Sequence, residues 1–117
     1  MRVLVACEFS GTVRDAFAAG GHNAWSNDVL ECERAGQHIR SDCMDAIRSQ
    51  AWDVIVMHPP CTALAVSGNR WYGRGKPRHA ERMAAVEWTM ALWELATSVA
   101  GKVCMENPVG VLPMKAM

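Results

Sequence analysis

The stretch Trp52-Asp53-Val54-Ile55-Val56-Met57-His58-Pro59-Pro60-Cys61 decides how this chain is read. Its first half is a short apolar run rich in β-branched residues, the pattern of a strand covered on both faces. Pro59 and Pro60 stop the run, because a proline cannot donate to a sheet ladder and disfavours helical backbone before it. A stiff turn just past a strand fixes where the next side chain points. Here that side chain is Cys61, and such placement suits a nucleophile. A buried cysteine acting as a small hydrophobe is the competing reading.

Working outward, Arg2-Val3-Leu4-Val5-Ala6-Cys7 is a second apolar run that ends at Ser10-Gly11. From Thr12 to Ala19 the apolar residues Val13, Ala16 and Phe17 recur at helical spacing, and Gly20-Gly21 ends the helix. Asn23-Ala24-Trp25-Ser26 reads as a weaker strand, Gln37 to Arg40 as a third, and Met44 to Gln50 as a short helix. On the other side, Ser67 to Arg78 mixes glycine, proline and basic residues and reads as an exposed loop. A long helix follows from about Arg78 to Ala100. Its apolar stripe is Met83, Val86, Met90, Trp93 and Thr97, widened by Leu92 and Leu95. Lys102-Val103-Cys104-Met105 reads as the last strand.

Strands alternating with helices predict an α/β fold, a parallel sheet flanked by helices. Such sheets bind ligands beyond the carboxyl ends of their strands. The candidate residues fall at those ends. Phe9-Ser10-Gly11 stands where a strand turns into a helix, and a glycine there lets a ligand approach the backbone. Asp28 follows the second strand, where a carboxylate can accept from ribose hydroxyls; a solvated or capping aspartate is the plainer reading. Asp42 is equally open, since Ser41-Asp42 also suits a helix cap. Glu106-Asn107-Pro108 ends the last strand, and its carboxylate can face Cys61 as a proton donor or hold a base edge.

Composition bounds the rest. The 117 residues fit a single domain, and half of them are hydrophobic, enough for a real core. Twelve basic residues balance twelve acidic ones, so overall charge lends no support to nucleic-acid binding. Only the local cluster around Arg70, Arg74 and Lys76, interleaved with Trp71 and Tyr72, suits phosphate contact and base stacking. Five cysteines without a CxxC pair argue against a disulfide framework or a metal site, and for a reducing compartment. No apolar run is long enough to span a bilayer, so a cytoplasmic location is expected.

Taken in order and at these spacings, the segments resemble the cytosine-5 DNA methyltransferase family. Phe9-Ser10-Gly11 matches its cofactor turn, Trp25-Ser26-Asn27-Asp28 its second strand and ribose-binding acid, and Ser41-Asp42 the acidic position near the adenine ring. Asp53 through Cys61 looks like the family's Pro-Cys catalytic loop, Ser67-Gly68 like that loop's Ser-Gly, and Val103 through Asn107 like its Glu-Asn motif. The Pro-Pro-Cys and Glu-Asn-Pro variants look closest to small phage-type members. The match covers nearly all of the chain, but only about the first half of a full-length member.

The resemblance implies a Rossmann-like methyltransferase fold, truncated and without a target-recognition domain, with S-adenosylmethionine as cofactor. It implies Cys61 as nucleophile toward carbon 6 of a flipped cytosine, Glu106 on the base edge and Asn107 bracing the catalytic loop. Phe9, Ser10, Gly11, Asp28, Asp42 and Pro59 would line the cofactor site, and Ser67, Arg70, Arg74 and Lys76 would meet DNA. DNA binding by this chain alone is expected to be weak, with a second chain or self-association completing the enzyme. Val13 and Arg14 stand where the family usually has glycines, which predicts a less open cofactor turn. A non-catalytic phage protein that reuses the fold for regulation or binding is the alternative.

Overall fold

Alternate residues of Arg2–Ala6, strand β1, enter two different cores. Leu4 and Ala6 point to one face of the sheet, Val3 and Val5 to the other, and all four are buried. A strand covered on both faces has no use for polar alternation, which is why the run is continuously apolar. This computed structural model describes residues 1–59 and 74–106.

After β1 come helix α1 (Thr12–Ala19), β2 (Asn23–Asp28), β3 (His38–Arg40), helix α2 (Cys43–Ser49), β4 (Val54–Met57), helix α3 (His79–Val99) and β5 (Lys102–Met105). The five strands form one sheet in the order β3-β2-β1-β4-β5, and every pairing is parallel. The molecule is thus a small α/β protein whose sheet is compatible with a Rossmann-like fold. From β1 the chain first steps outward to β2 and β3, then crosses back to β4 on the other side of β1. With right-handed crossovers, that reversal puts helices on opposite faces. Val13 and Phe17 of α1 pack on Val3, Val5 and Ala24; α2 and α3 supply Ala46, Ile47, Leu92 and Ala96 to the core around Leu4, Ile55 and Met57. The switch point lies between the carboxyl ends of β1 and β4.

Three features differ from the sequence reading. β2 runs on to Asp28, because Asn27 is buried and its amide donates to the Ile39 and Ser41 carbonyls at 2.8 and 3.0 Å. Trp52 and Asp53 lie before β4 rather than in it. The Trp52 indole donates to the Ala46 carbonyl in the middle of α2, and the Asp53 carboxylate accepts the Arg2 amide. On α3 the fully buried positions are Arg82, Thr89, Leu92 and Ala96, so the buried stripe is rotated from the expected one. Met83 and Thr97 face out, and Val86, Met90 and Trp93 are half-buried at its flank. Small and hydroxyl side chains on that line let the helix lie close to the sheet; Thr89 returns its hydroxyl to the Ala85 carbonyl at 2.7 Å. Among the described residues, no helix is long and apolar enough to cross a membrane.

Candidate functional site at the carboxyl ends of the strands

Two neighbouring cavities open along the carboxyl edge of the sheet, and Cys7 lines both. The first, about 200 Å³, is walled by Cys7, Asn27, Asp28, Val29, Ser41, Asp42, Cys43 and Trp88. That is below the roughly 300–1,000 Å³ usual for a drug-sized ligand, so it suits one end of a longer molecule. The second, about 300 Å³, lies at the switch point between Cys7, Glu8, Phe9, Ser10, Thr12, Val13 and His58. A wider cavity of about 390 Å³ is formed by Glu31 to Gly36 and His38, in the segment joining β2 to β3. His38 there already bonds Ser26 Oγ and the Leu30 carbonyl, and Arg14 takes the Arg34 and Ala35 carbonyls, so it is the weaker candidate.

In the first cavity, Asp28 and Asp42 use the same local device. Each carboxylate accepts the backbone N–H two residues on, from Leu30 and from Met44, at 2.9 Å. Asp42 is thereby the N-cap of α2 and lines the cavity as well. The bonds hold each carboxyl group at the cavity wall and leave acceptor capacity for a ligand. Val29 and Trp88 add apolar surface.

Cys7 closes β1 with a left-handed backbone, φ 62°, uncommon for any residue but glycine. Hydrogen bonding to Cys43 first, then burial and the nearby Cys43, Asp28 and Asp42 charges, raises the Cys7 pKa far above the usual thiol range. Accepting the same bond lowers that of Cys43, against the effect of its own burial.

The turn after β1 differs from expectation. Gly11 precedes α1 with φ 78°, and a Cβ there would stand 2.8 Å from Arg14 Nη2 and 3.1 Å from Cys32 Sγ. A Cβ at Gly36, where φ is 150°, would stand 2.7 Å from the same guanidinium. These two glycines make room for Arg14. The first amides of α1 are not left for a ligand either: the buried Glu8 carboxylate accepts Val13 N–H at 2.8 Å, Arg14 N–H at 3.4 Å and the Ser10 hydroxyl at 3.0 Å. Arg14 fills the space beside that turn. It runs inward, 2% exposed, to Ser26 Oγ, Cys32 Sγ and the Arg34 and Ala35 carbonyls, and pairs with Asp15 at 2.9 Å. Burial works against its charge, and the Asp15 and Cys32 hydrogen bonds outweigh that effect.

Beside the switch point, His58 Nδ1 lies 3.0 Å from Glu106 Oε2, and Pro59 is buried. Phe9 is 42% exposed at the mouth of the second cavity. Arg74 and Lys76 are exposed before α3, whereas Arg78 pairs with Glu81 at 2.8 Å and Arg82 is buried. Cys61, Ser67, Arg70 and Asn107 lie outside the described residues. Among the described residues, no group of histidine, cysteine and acidic side chains could hold a metal ion.

Of the residues picked from sequence, Asp28 and Asp42 share one cavity, and Phe9 and Ser10 share the next. Asn27, Val29, Cys43 and Trp88, together with Cys7, were not foreseen. Their signal was only adjacency to the two aspartates and position on the inner face of α3. Comparison of the chain with protein families, curated proteins and solved structures finds no match.

Proposed function

We propose that this chain is a cytosine-5 DNA methyltransferase-like protein that binds S-adenosylmethionine along the carboxyl edge of its sheet. The observation that carries the reading is the pair of carboxylates, Asp28 and Asp42, converging on one cavity beside the switch point. That donor set fits a nucleoside. Asp28, at the end of β2, would accept from ribose hydroxyls, Asp42 from an exocyclic amino group, and Val29 and Trp88 would flank a flat ring. The rest of the ligand would lie along the second cavity past Cys7 and Phe9. The carboxylates of Asp28 and Asp42, with Glu8 in the adjoining cavity, also favour a cationic ligand, and a sulfonium cofactor is one.

The bound cofactor would supply an electrophilic methyl group. The chain's residues would supply the rest. Cys61 thiolate attacks carbon 6 of a cytosine flipped out of the duplex, and the ring's electron pair moves to carbon 5. Glu106, anchored past β5, holds the base edge and favours protonation at ring nitrogen 3 as that charge develops. Once carbon 5 has taken the methyl group, loss of its proton expels Cys61 and restores the ring. The test is trapping: duplex DNA with 5-fluorocytosine, whose carbon 5 has no proton to lose, should give a covalent adduct that survives denaturing electrophoresis. Cys61→Ser should give none, and an adduct persisting in that variant would remove Cys61 from the role.

A further inference from the structure

His58 stands one residue past β4 and Glu106 one residue past β5, each locked to the adjoining strand end. His58 N–H donates to the Ala6 carbonyl at 3.0 Å, and Glu106 N–H to the Met57 carbonyl at 2.9 Å. With both backbones fixed, imidazole Nδ1 and carboxylate Oε2 meet at 3.0 Å. The ring is only 24% exposed and the carboxylate 75%. His58 Nε2 is buried without a hydrogen-bond partner among the described residues. An ionised carboxylate only accepts, so the contact requires the proton on Nδ1. In a neutral ring, Nε2 is then left as a bare lone pair, facing no donor.

We propose that His58 is a positioning residue: its Nδ1–H holds one oxygen of Glu106 and leaves the other to accept from an amino-bearing heterocyclic edge. A solvent-facing glutamate on its own samples several rotamers, and fixing one of them on binding costs affinity. The histidine removes that freedom beforehand. A base edge carrying an exocyclic amino group satisfies the waiting oxygen, whereas an oxo group in the same place meets it lone pair to lone pair. The selection of an amino edge rests on the methyltransferase reading; the tautomer and the hold on Glu106 do not.

Two measurements on the full chain test it. Long-range proton–nitrogen NMR of the histidine rings should show His58 protonated at Nδ1, reverting toward the Nε2–H form common in free imidazoles in Glu106→Ala. Protonation at Nε2 in the wild type overturns the proposal, whatever any DNA assay gives. In the fluorocytosine trap, His58→Asn places an amide nitrogen where Nδ1 stands and should keep the wild-type rate of adduct formation. His58→Gln, whose amide reaches the Nε2 place, and His58→Leu should slow it roughly two- to tenfold, with DNA affinity and thermal midpoint close to those of His58→Asn. Equal rates in all three variants overturn the positioning role. A wild type that forms no adduct sinks the methyltransferase reading instead, and the NMR result then decides the rest.

Discussion

Glu8 reaches five residues along the chain to accept the Val13 backbone N–H at 2.8 Å, so the exposed dipole of α1 is answered by the protein's own carboxylate. Glu8→Ala leaves the Val13 and Arg14 amides without that acceptor. It should lower stability by about 1–3 kcal/mol in urea unfolding. Glu8→Gln keeps an acceptor oxygen and should lose less. Equal stability of all three proteins would show that the bonds are incidental.

The two aspartates of the first cavity can be separated from their capping duty. Asn also accepts at an N-cap, so Asp42→Asn should cost little stability, while Asp42→Ala should cost about 1 kcal/mol. Both should weaken S-adenosylmethionine binding in calorimetric titration. Asp28→Asn preserves the bond to Leu30 but removes the charge-assisted acceptor, and should weaken binding at least tenfold. Binding unchanged by Asp28→Asn would place the ribose elsewhere.

Arg14 ties α1 to the segment between β2 and β3. Arg14→Met strands the Ala35 carbonyl and the Ser26 hydroxyl on that side, and should cost on the order of 2–3 kcal/mol. Cys32, freed from the guanidinium 3.2 Å away, should then be alkylated faster than in the wild type. An unchanged Cys32 rate would mean that the segment holds its shape without Arg14.

Thiol reactivity carries a sign. The Cys7 pKa is raised, so its thiolate is scarce at neutral pH, and its labelling should become appreciable only in strongly alkaline solution. Cys43→Ala removes the largest cause of the shift and should bring Cys7 labelling to lower pH. Limited alkylation read by mass spectrometry should mark Cys61 first. Exposed Cys104 labelled ahead of it would count against an activated nucleophile at position 61.

Duplex DNA should bind weakly and lose affinity steeply as salt rises. Arg74 and Lys76 are exposed, whereas Arg78 pairs with Glu81 and Arg82 is buried. Each phosphate contact adds about 0.9 to the slope of log affinity against log salt, so Arg74→Ala with Lys76→Ala should reduce it by no more than about 2. A larger drop would point to a rearranged segment.

α1 and β5 were legible to the residue, because local pattern and stop signals agree there. β2 was read short because Asn27 fills a buried place with an amide satisfied from β3, which looks polar until its partners are known. The stripe on α3 was misplaced for a related reason: apolar periodicity weights Met83 over Arg82, yet the arginine is the buried one. Single acids at strand ends were readable by position, and both reached the first cavity. Trp88 packs against the core, and that it also lines the first cavity depends on how α3 lies across the sheet.

The strand order has a bearing on how the chain assembles during synthesis. β1 is the central strand, yet Val3 pairs with Ala24 on one side and with Val54 on the other. On a ribosome, the first of those partners follows within about twenty residues, whereas the second emerges some fifty residues after β1. Until then one edge of the most apolar strand stands open, with its amides and carbonyls available to any passing chain. Parallel pairings this distant close slowly. The nascent chain is therefore most exposed to misassociation before β4 has been made.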